Sequence, residues 1–96
     1  MGPCVLPADE VDDPQALDLQ LRVNGEIEQD GSTAEMVFSV AALIEFISSF
    51  VTLEPGDIIS TGTTSGVGAA KNKYLKPGDI VEAEIRQIGI LRNPVE

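Results

Sequence analysis

Hydrophobic and polar residues alternate from Leu17 to Val23, which predicts a strand with one apolar face. Asn24-Gly25 follows, and both positions tolerate a positive φ; since Ile27 then resumes the alternation, the pattern predicts a β-hairpin. Asp30-Gly31-Ser32 has the composition of a further turn. Met36 to Phe38 predicts a short strand after that turn.

A helix is the clearest element that the sequence predicts. Its apolar residues recur at steps of three or four, which places them on one face of the cylinder: Val40, Leu43, Ile44, Ile47 and Phe50. Ser39 precedes them and is a suitable N-cap. We therefore expect a helix that begins after Ser39.

The second half of the chain contains an internal repeat. Leu53 to Ile59 is matched 22 residues later by Leu75 to Val81, and each copy carries a Pro-Gly pair typical of a type II turn. We expect each turn to start a buried strand, the first at Ile58-Ile59. Ile80 to Ile85 and Ile88 to Leu91 then predict two strands, with a bend at Gly89.

These elements predict a mainly β fold with one helix, arranged as a sandwich, roll or barrel. The chain has 96 residues, which suits a single domain, 1–96, in which the proline-rich and acidic residues 1–14 form an irregular leading segment. Only four aromatic residues supply bulk to the core, so we expect the chain to need further sequence or a partner for stability.

Charge narrows the classes of partner. Sixteen acidic residues against six basic ones give a net charge of −10, which disfavours binding to nucleic acid or to an anionic membrane surface. The longest apolar stretch, Val37 to Val51, is interrupted by Glu45 and serines, so we expect no membrane span. Cys4 is the single cysteine, so no internal disulfide forms, and we expect a soluble cytoplasmic protein.

Several chemistries are excluded by composition. The chain has no histidine, hence no Ser-His or Cys-His dyad. Cys4 has no neighbouring cation in sequence, which favours an inert thiol. The acidic residues Asp9, Glu10, Asp12 and Asp13 lack the spacing of a calcium loop and are typical of a solvated segment. Glu82 and Glu84 share one strand face, predicted to be the solvent side.

The loop Ser60 to Gly68 carries most of the candidate chemistry, with three glycines and five hydroxyl groups among its residues. Glycine allows close approach of a backbone, and threonine hydroxyls can donate to carboxylate or enolate oxygens. The segment lacks the Gly-Lys-Ser/Thr ending of a phosphate-binding P-loop. Composition alone favours a plain connecting loop at least as strongly as a small-anion site.

Taken in order, the landmarks of the chain resemble the fumarylacetoacetate hydrolase family. They are Met1-Gly2-Pro3, Asp9-Glu10-Val11, Asp13-Pro14, Leu21 to Glu26 with Gln29 and Thr33, Met36 to Phe38, Ser49-Phe50, Leu53 to Ile59, Thr61-Gly62-Thr63, Gly66 to Gly68, Leu75 to Val81 and Gly89 to Val95. One position departs from the family pattern, because Thr64 stands where proline is usual after Thr-Gly-Thr.

The resemblance implies a Mg²⁺- or Mn²⁺-dependent hydrolase or isomerase that acts on 2-oxo, acylpyruvate-type acids by C–C bond cleavage or related enolate chemistry. It implies a substrate contact at Thr61, extended by Gly62 and Thr63, and the fold of a mixed β-sandwich roll. The family's metal ligands, a Glu-x-Glu pair and aspartates, and its catalytic lysine precede the position of Gly2-Pro3.

On that basis we expect this chain to be the carboxy-terminal part of the catalytic domain, with no catalytic residue or metal ligand of its own and no activity alone. Glu26-Ile27-Glu28 and Glu82-Ala83-Glu84 share the Glu-x-Glu spelling. Both lie elsewhere in the order of landmarks, so we reject them as the metal pair.

The resemblance leaves the reaction open among fumarylpyruvate hydrolysis, as in aromatic catabolism, ureidoglycolate lysis, and oxaloacetate decarboxylation or tautomerisation. Two alternatives belong to other classes. One is a non-catalytic β module that self-associates through unpaired strand edges. The other is a small-anion binding protein that uses Thr61 to Gly68. We expect a homodimer and a small-molecule 2-oxo acid as the partners of the enzyme.

Overall fold

The computed structural model describes all 96 residues, Met1–Glu96. It contains four strands and one α-helix: β1 (Asp18–Val23), β2 (Glu26–Ser32), α1 (Val40–Ser48), β3 (Ile80–Ile85) and β4 (Gly89–Pro94). The strands form one antiparallel sheet in the order β2-β1-β3-β4. The prediction of a mainly β fold with one helix is therefore confirmed.

The β1–β2 hairpin is confirmed at the predicted turn. Asn24 has φ 53° and Gly25 has φ 82°, the two positive values that a type I′ turn requires. The Asn24 side chain also joins this hairpin to β3, because its Nδ2 donates to Asp79 Oδ1 at 2.9 Å and its Oδ1 accepts from the Ile80 backbone N–H at 2.9 Å. The two central strands are thus held together at one end.

The two faces of the sheet differ in polarity, as strand alternation requires. Pairing of β1 with β3 places apolar residues opposite one another on one face: Leu19 with Ile85, Leu21 with Ala83, and Val23 with Val81. On the other face Arg22 donates to Glu84 at 2.8 Å and lies 3.9 Å from Glu82. The predicted common face of these two glutamates is confirmed, although Arg22 and its neighbours half-bury both.

The predicted turn at Asp30-Gly31-Ser32 is wrong, since β2 continues through all three residues. The irregularity comes earlier in the strand. Leu21 pairs with Gln29 whereas Arg22 pairs with Ile27, which leaves Glu28 as the extra residue of a β-bulge. Glycine is needed at position 31 because Thr64 packs closely against it.

The short strand predicted at Met36 to Phe38 is also wrong. A 3₁₀ helix, Thr33–Glu35, ends just before these residues, and the Ser32 hydroxyl caps it by accepting from the Ala34 N–H at 3.2 Å. The chain is thereby turned away from the sheet, and Val37 is left 90% exposed with no strand to pair with.

Helix α1 begins as predicted, because Ser39 Oγ accepts from the Ala42 N–H at 3.0 Å. Val40, Leu43 and Ile47 are half-buried along its inner face. Ile44 and Phe50, predicted to share that face, are exposed. The helix therefore presents more apolar surface than this chain covers.

Both predicted Pro-Gly turns are confirmed. Gly56 has φ 97° and Gly78 has φ 91°, and each turn is closed by a backbone hydrogen bond, from Asp57 to Glu54 and from Asp79 to Lys76. The second turn leads into β3. The strand predicted at Ile58-Ile59 is wrong, because no strand of this chain lies beside these residues, and Ile58 is 70% exposed.

Little of the chain is fully shielded from solvent. Leu17 is the one buried residue, and the accessible surface is 7279 Å². A compact monomer of this mass exposes about 5,300 Å² and has a radius of gyration of about 12.5 Å, against 15.1 Å here. The fold is thus an open sheet with an uncovered apolar layer. Its single α-helix has nine residues, too few to cross a bilayer.

Candidate functional site

The loop Ser60 to Gly68 lies against β2 without regular secondary structure until the 3₁₀ helix Gly68–Lys71 begins at its end. Three sets of contacts, all made to consecutive or near-consecutive residues of β2, fix its path. They involve the side chain of Gln29, the glycines at positions 31 and 66, and the carboxylate of Glu28. At the bulge Glu28 has no partner on β1, while the next residue, Gln29, pairs with Leu21.

Gln29 makes the central contact. Its Nε2 donates to Thr63 Oγ1 at 2.8 Å, to the Thr64 carbonyl oxygen at 2.8 Å and to Thr64 Oγ1 at 3.3 Å. A carbonyl oxygen only accepts, so the amide nitrogen must be the end of the side chain that faces the loop. Gln29 thereby fixes two adjacent threonines with one group.

Two glycines allow the loop and the strand to approach closely. A Cβ on Gly31 would lie 2.6 Å from the Thr64 Cγ2 atom. A Cβ on Gly66 would lie well below 3.0 Å from the carbonyl oxygen of Glu28. Gly66 also has φ 103°, which L-residues rarely adopt. Both positions therefore require glycine for steric reasons.

An ion-pair cluster holds the end of the loop. Lys71 Nζ lies 3.1 Å from Glu28 Oε2, and Lys73 donates to the other carboxylate oxygen. The hydrogen bond from Lys73, followed by that from Lys71, lowers the pKa of Glu28 from its ordinary value. The same contact raises the pKa of Lys73. The Glu28 side chain is 11% exposed, whereas the Lys71 and Lys73 side chains remain partly open to solvent.

Two grooves border the part of the loop from Gly62 to Thr64. The sheet groove, of about 430 Å³, is bounded by the loop residues Gly62 to Thr64, the apolar face of the sheet and the segment Gly2 to Cys4. The helix groove, of about 470 Å³, is bounded by Thr61 to Ser65, by Ser32 to Phe38 and by Leu43. Volumes of this size suit a small organic molecule.

The structure brings the three predicted site residues together. Thr61, Gly62 and Thr63 line the helix groove side by side, and Gly62 and Thr63 also reach the sheet groove. All three are exposed. Thr61 makes no side-chain hydrogen bond within the chain, and Thr63 makes only the one from Gln29.

Other candidate groups are not assembled into a site. No group of three or more acidic or cysteine side chains is placed to hold a metal ion, and this includes the acidic segment from Asp9 to Asp13. These residues do not fit a divalent cation. Cys4 is exposed at the rim of the sheet groove, with its Sγ 3.7 Å from the Ile88 carbonyl oxygen.

The charge of the two grooves is unfavourable for an anion on its own. Neither groove is lined by lysine or arginine, and Glu35 lines the helix groove. The threonine hydroxyls supply hydrogen-bond donors but no net positive charge. The hydrogen-bond donors that these grooves offer are therefore uncharged.

Sequence reasoning did not single out Gln29 or Glu28 as parts of the site. The available signal for Gln29 was an uncharged polar residue at the strand position that alternation assigns to the apolar face, opposite Leu21. No pattern predicted the role of Glu28, because its orientation depends on the bulge.

Comparison with known proteins identifies the family of the whole chain. The family described as fumarylacetoacetate (FAA) hydrolase C-terminal matches residues 1–96. A 2,4-didehydro-3-deoxy-L-rhamnonate hydrolase from Sphingomonas sp. (strain SKA58) is 47% identical over 99% of this chain and 34% of its own length. The mitochondrial oxaloacetate tautomerase of Xenopus laevis is 44% identical over 99% of this chain and 30% of its own.

A solved structure shows the same fold. The maleylpyruvate hydrolase of Sphingobium sp. SYK-6, in complex with manganese(II) ion and pyruvate, superposes with a TM-score of 0.89 at 38% identity. The match covers 98% of this chain and 34% of the hydrolase. The chain thus spans about one third of the length of the relatives it matches.

Proposed function

Because this chain belongs to the fumarylacetoacetate hydrolase family, we propose that it forms the substrate-contacting, carboxy-terminal part of a metal-dependent enzyme. The enzyme acts on 2-oxo acids of the acylpyruvate type by hydrolysis or isomerisation. Thr61, Gly62 and Thr63 contact the oxo-acid. The observation that carries the proposal is that all three line the helix groove, from which Gly62 and Thr63 also reach the sheet groove.

The chemistry of these residues suits such an acid. Threonine hydroxyls and the backbone beside Gly62 offer neutral donors, which can bind carboxylate and enolate oxygens when charge is supplied by another group. The nearest lysines of the chain cannot supply it, because Lys71 and Lys73 are engaged with Glu28. The neutral grooves therefore fit one part of a site that is completed elsewhere.

A divalent metal is the proposed source of that charge. The related maleylpyruvate hydrolase was solved with manganese(II) and pyruvate, which supports a divalent metal, and the metal we propose is Mn²⁺ or Mg²⁺. Since the acidic residues of this chain form no cluster suited to a cation, we assign no metal ligand to them. In this proposal the metal ligands and the catalytic lysine lie outside residues 1–96.

The test uses the protein expressed from its complete reading frame, with Mn²⁺ or Mg²⁺ added. Loss of absorbance of acetylpyruvate measures acylpyruvate hydrolysis, and oxaloacetate serves as the second substrate. Thr61→Val removes the hydroxyl at nearly constant shape and should lower kcat/KM by about tenfold to 100-fold, the loss expected for a hydrogen bond to a charged group. Thr61→Ser keeps the hydroxyl and should retain most activity.

Thr52→Val is the matched control, because Thr52 is exposed and makes no side-chain hydrogen bond, so its loss should leave kcat/KM unchanged. A folded, metal-loaded protein that converts neither substrate would sink the proposal for these acids. Equal activity of the Thr61→Val variant and the parent would sink the assignment of Thr61.

A second candidate is a non-catalytic module that associates with a second copy. It is favoured by the accessible surface, which exceeds that of a compact monomer by about 2,000 Å² and so exceeds the ~800 Å² that one partner buries in a standard interface. Sedimentation of the 96-residue chain tests it. A folded dimer without activity would support this candidate, and a folded monomer would contradict it.

A further inference from the structure

The hydroxyl groups of Thr63 and Thr64 are used differently by the fold. Thr64 Oγ1 donates to the Ser65 carbonyl oxygen at 3.4 Å, so its single hydrogen is engaged within the loop. Thr63 Oγ1 accepts from Gln29 Nε2 at 2.8 Å and donates to no atom of the chain. Thr63 is exposed and lines both grooves, which leaves its hydrogen free for a ligand.

The bond from Gln29 determines how Thr63 can act. A hydroxyl has one hydrogen and two lone pairs, and Gln29 occupies one lone pair. The amide nitrogen cannot rotate away in favour of the amide oxygen, because the Thr64 carbonyl at 2.8 Å accepts from the same nitrogen and would repel an oxygen. A hydroxyl that accepts one hydrogen bond is also a stronger donor in the next.

We infer that Gln29 is the positioning residue that keeps the Thr63 hydroxyl as a hydrogen-bond donor toward the carboxylate or enolate oxygen of the bound acid. This inference rests on the proposed function. Gln29 itself does not contact the acid in this arrangement. Its effect on the acid passes through the Thr63 hydroxyl, whereas its bonds to Thr64 hold the loop.

A double-mutant cycle measures the coupling between Gln29 and Thr63. It uses the protein from the complete reading frame, with acetylpyruvate or oxaloacetate as substrate, whichever is converted. Thr63→Val removes the donor, and Gln29→Met removes the amide at similar length. Each should lower kcat/KM roughly tenfold. In the Thr63→Val background, Gln29→Met should cost clearly less than in the parent, since the part of its effect that acts through the Thr63 hydroxyl is already lost and only its bonds to Thr64 are removed. Gln87→Met, in an exposed turn with no side-chain hydrogen bond, is the matched control.

Gln29→Glu gives a second readout that does not depend on the methionine variant folding. An ionised carboxylate only accepts, so it would attract the Thr63 hydrogen away from the substrate, whereas a protonated carboxyl can donate as the amide does. The ratio of its kcat/KM to that of the parent should rise as pH falls toward about 4.3. With Thr63→Val also present, that rise should disappear.

The outcomes separate the two proposals. A parent protein that converts neither acid overturns the proposed function, and this inference with it. An active parent in which Gln29→Met costs the same with and without the Thr63 hydroxyl overturns the inference alone, as does a flat pH ratio for Gln29→Glu. Coupling between the two positions, with the expected rise at low pH, supports both.

Discussion

Gly66 lies so close to Glu28 that any side chain at position 66 would overlap the carbonyl oxygen of the strand residue. The contact joins the candidate site to the bulge in β2. Gly66→Ala should therefore force the loop away from the strand and destabilise the protein by about 2 kcal/mol or more, through steric overlap added to an unfavourable positive φ. Urea unfolding of the full protein measures this loss.

Gly56→Ala is the control for that substitution. Gly56 has φ 97°, close to the 103° of Gly66, but a Cβ there would meet no atom within 4 Å. Its cost should be limited to the backbone preference, about 1 kcal/mol. Equal losses for the two variants would show that the close approach to Glu28 does not limit the loop.

Gly31 and Thr64 form a second close contact, and a double substitution can test it. Gly31→Ala places a methyl group 2.6 Å from the Thr64 Cγ2 atom and should cost about 1–3 kcal/mol. Thr64→Ser removes that Cγ2 atom and keeps the hydroxyl. The double variant should recover most of the stability lost by Gly31→Ala, and simple additivity of the two losses would contradict this packing.

Local patterns predicted the elements whose causes are local. Asn24-Gly25 determines its turn through backbone conformation, and Ser39 caps α1 through a bond three residues away, so both were predictable from the sequence. The strand at Ile58-Ile59 was not, because a strand needs a partner and no neighbouring strand exists in this chain. The sequence predicts a turn at Gly31, which is wrong. Glycine is needed there because of the close contact with Thr64, a residue distant in sequence.

The residues of the candidate site also differ in whether local sequence predicts them. Thr61 to Thr63 could be identified from loop composition together with a family resemblance. Gln29 could not, since its role arises from a contact across more than thirty positions of sequence. Glu28 depends on the β-bulge, which redirects it toward Lys71 and Lys73, and no periodic pattern reports a bulge of this kind.

The pH dependence of stability should report the Glu28 cluster. Hydrogen bonds from Lys73 and Lys71 lower the pKa of Glu28, so its contribution is present above the unfolded value and is lost as pH falls through the lower folded value. Glu28→Gln should therefore lower Tm at pH 7, and the difference from the parent should shrink below about pH 4.5. It should shrink again as pH rises beyond the ordinary lysine value of 10.5 and through the raised pKa of Lys73.

Thermal unfolding monitored by circular dichroism across this range checks both limits. Glu54→Gln is the matched control, because the Glu54 side chain is exposed and makes no ion pair, so its replacement should leave the curve unchanged. A Tm difference for Glu28→Gln that stays constant from neutral pH to pH 3 would contradict a role for the ionised pair.

The two Pro-Gly turns should respond unequally to the same substitution. Asp57 Oδ2 accepts from the Glu54 N–H at 2.8 Å, and Asp79 Oδ2 accepts from the Lys76 N–H at 2.9 Å, so each aspartate closes its own turn. Asp79 makes a further bond, since its Oδ1 accepts from Asn24 at 2.9 Å. That bond, followed by the one from the Lys76 backbone, lowers the pKa of Asp79.

Asp79→Ala should therefore lower the unfolding midpoint more than Asp57→Ala, because it also removes the link between the hairpin and β3. Hydrogen exchange measures the same effect locally. The amides of Asn24 and Ile80, which bond across this junction, should exchange faster in Asp79→Ala and remain unchanged in Asp57→Ala. Equal midpoints and equal exchange in both variants would show that the two copies of the repeat serve only as turns.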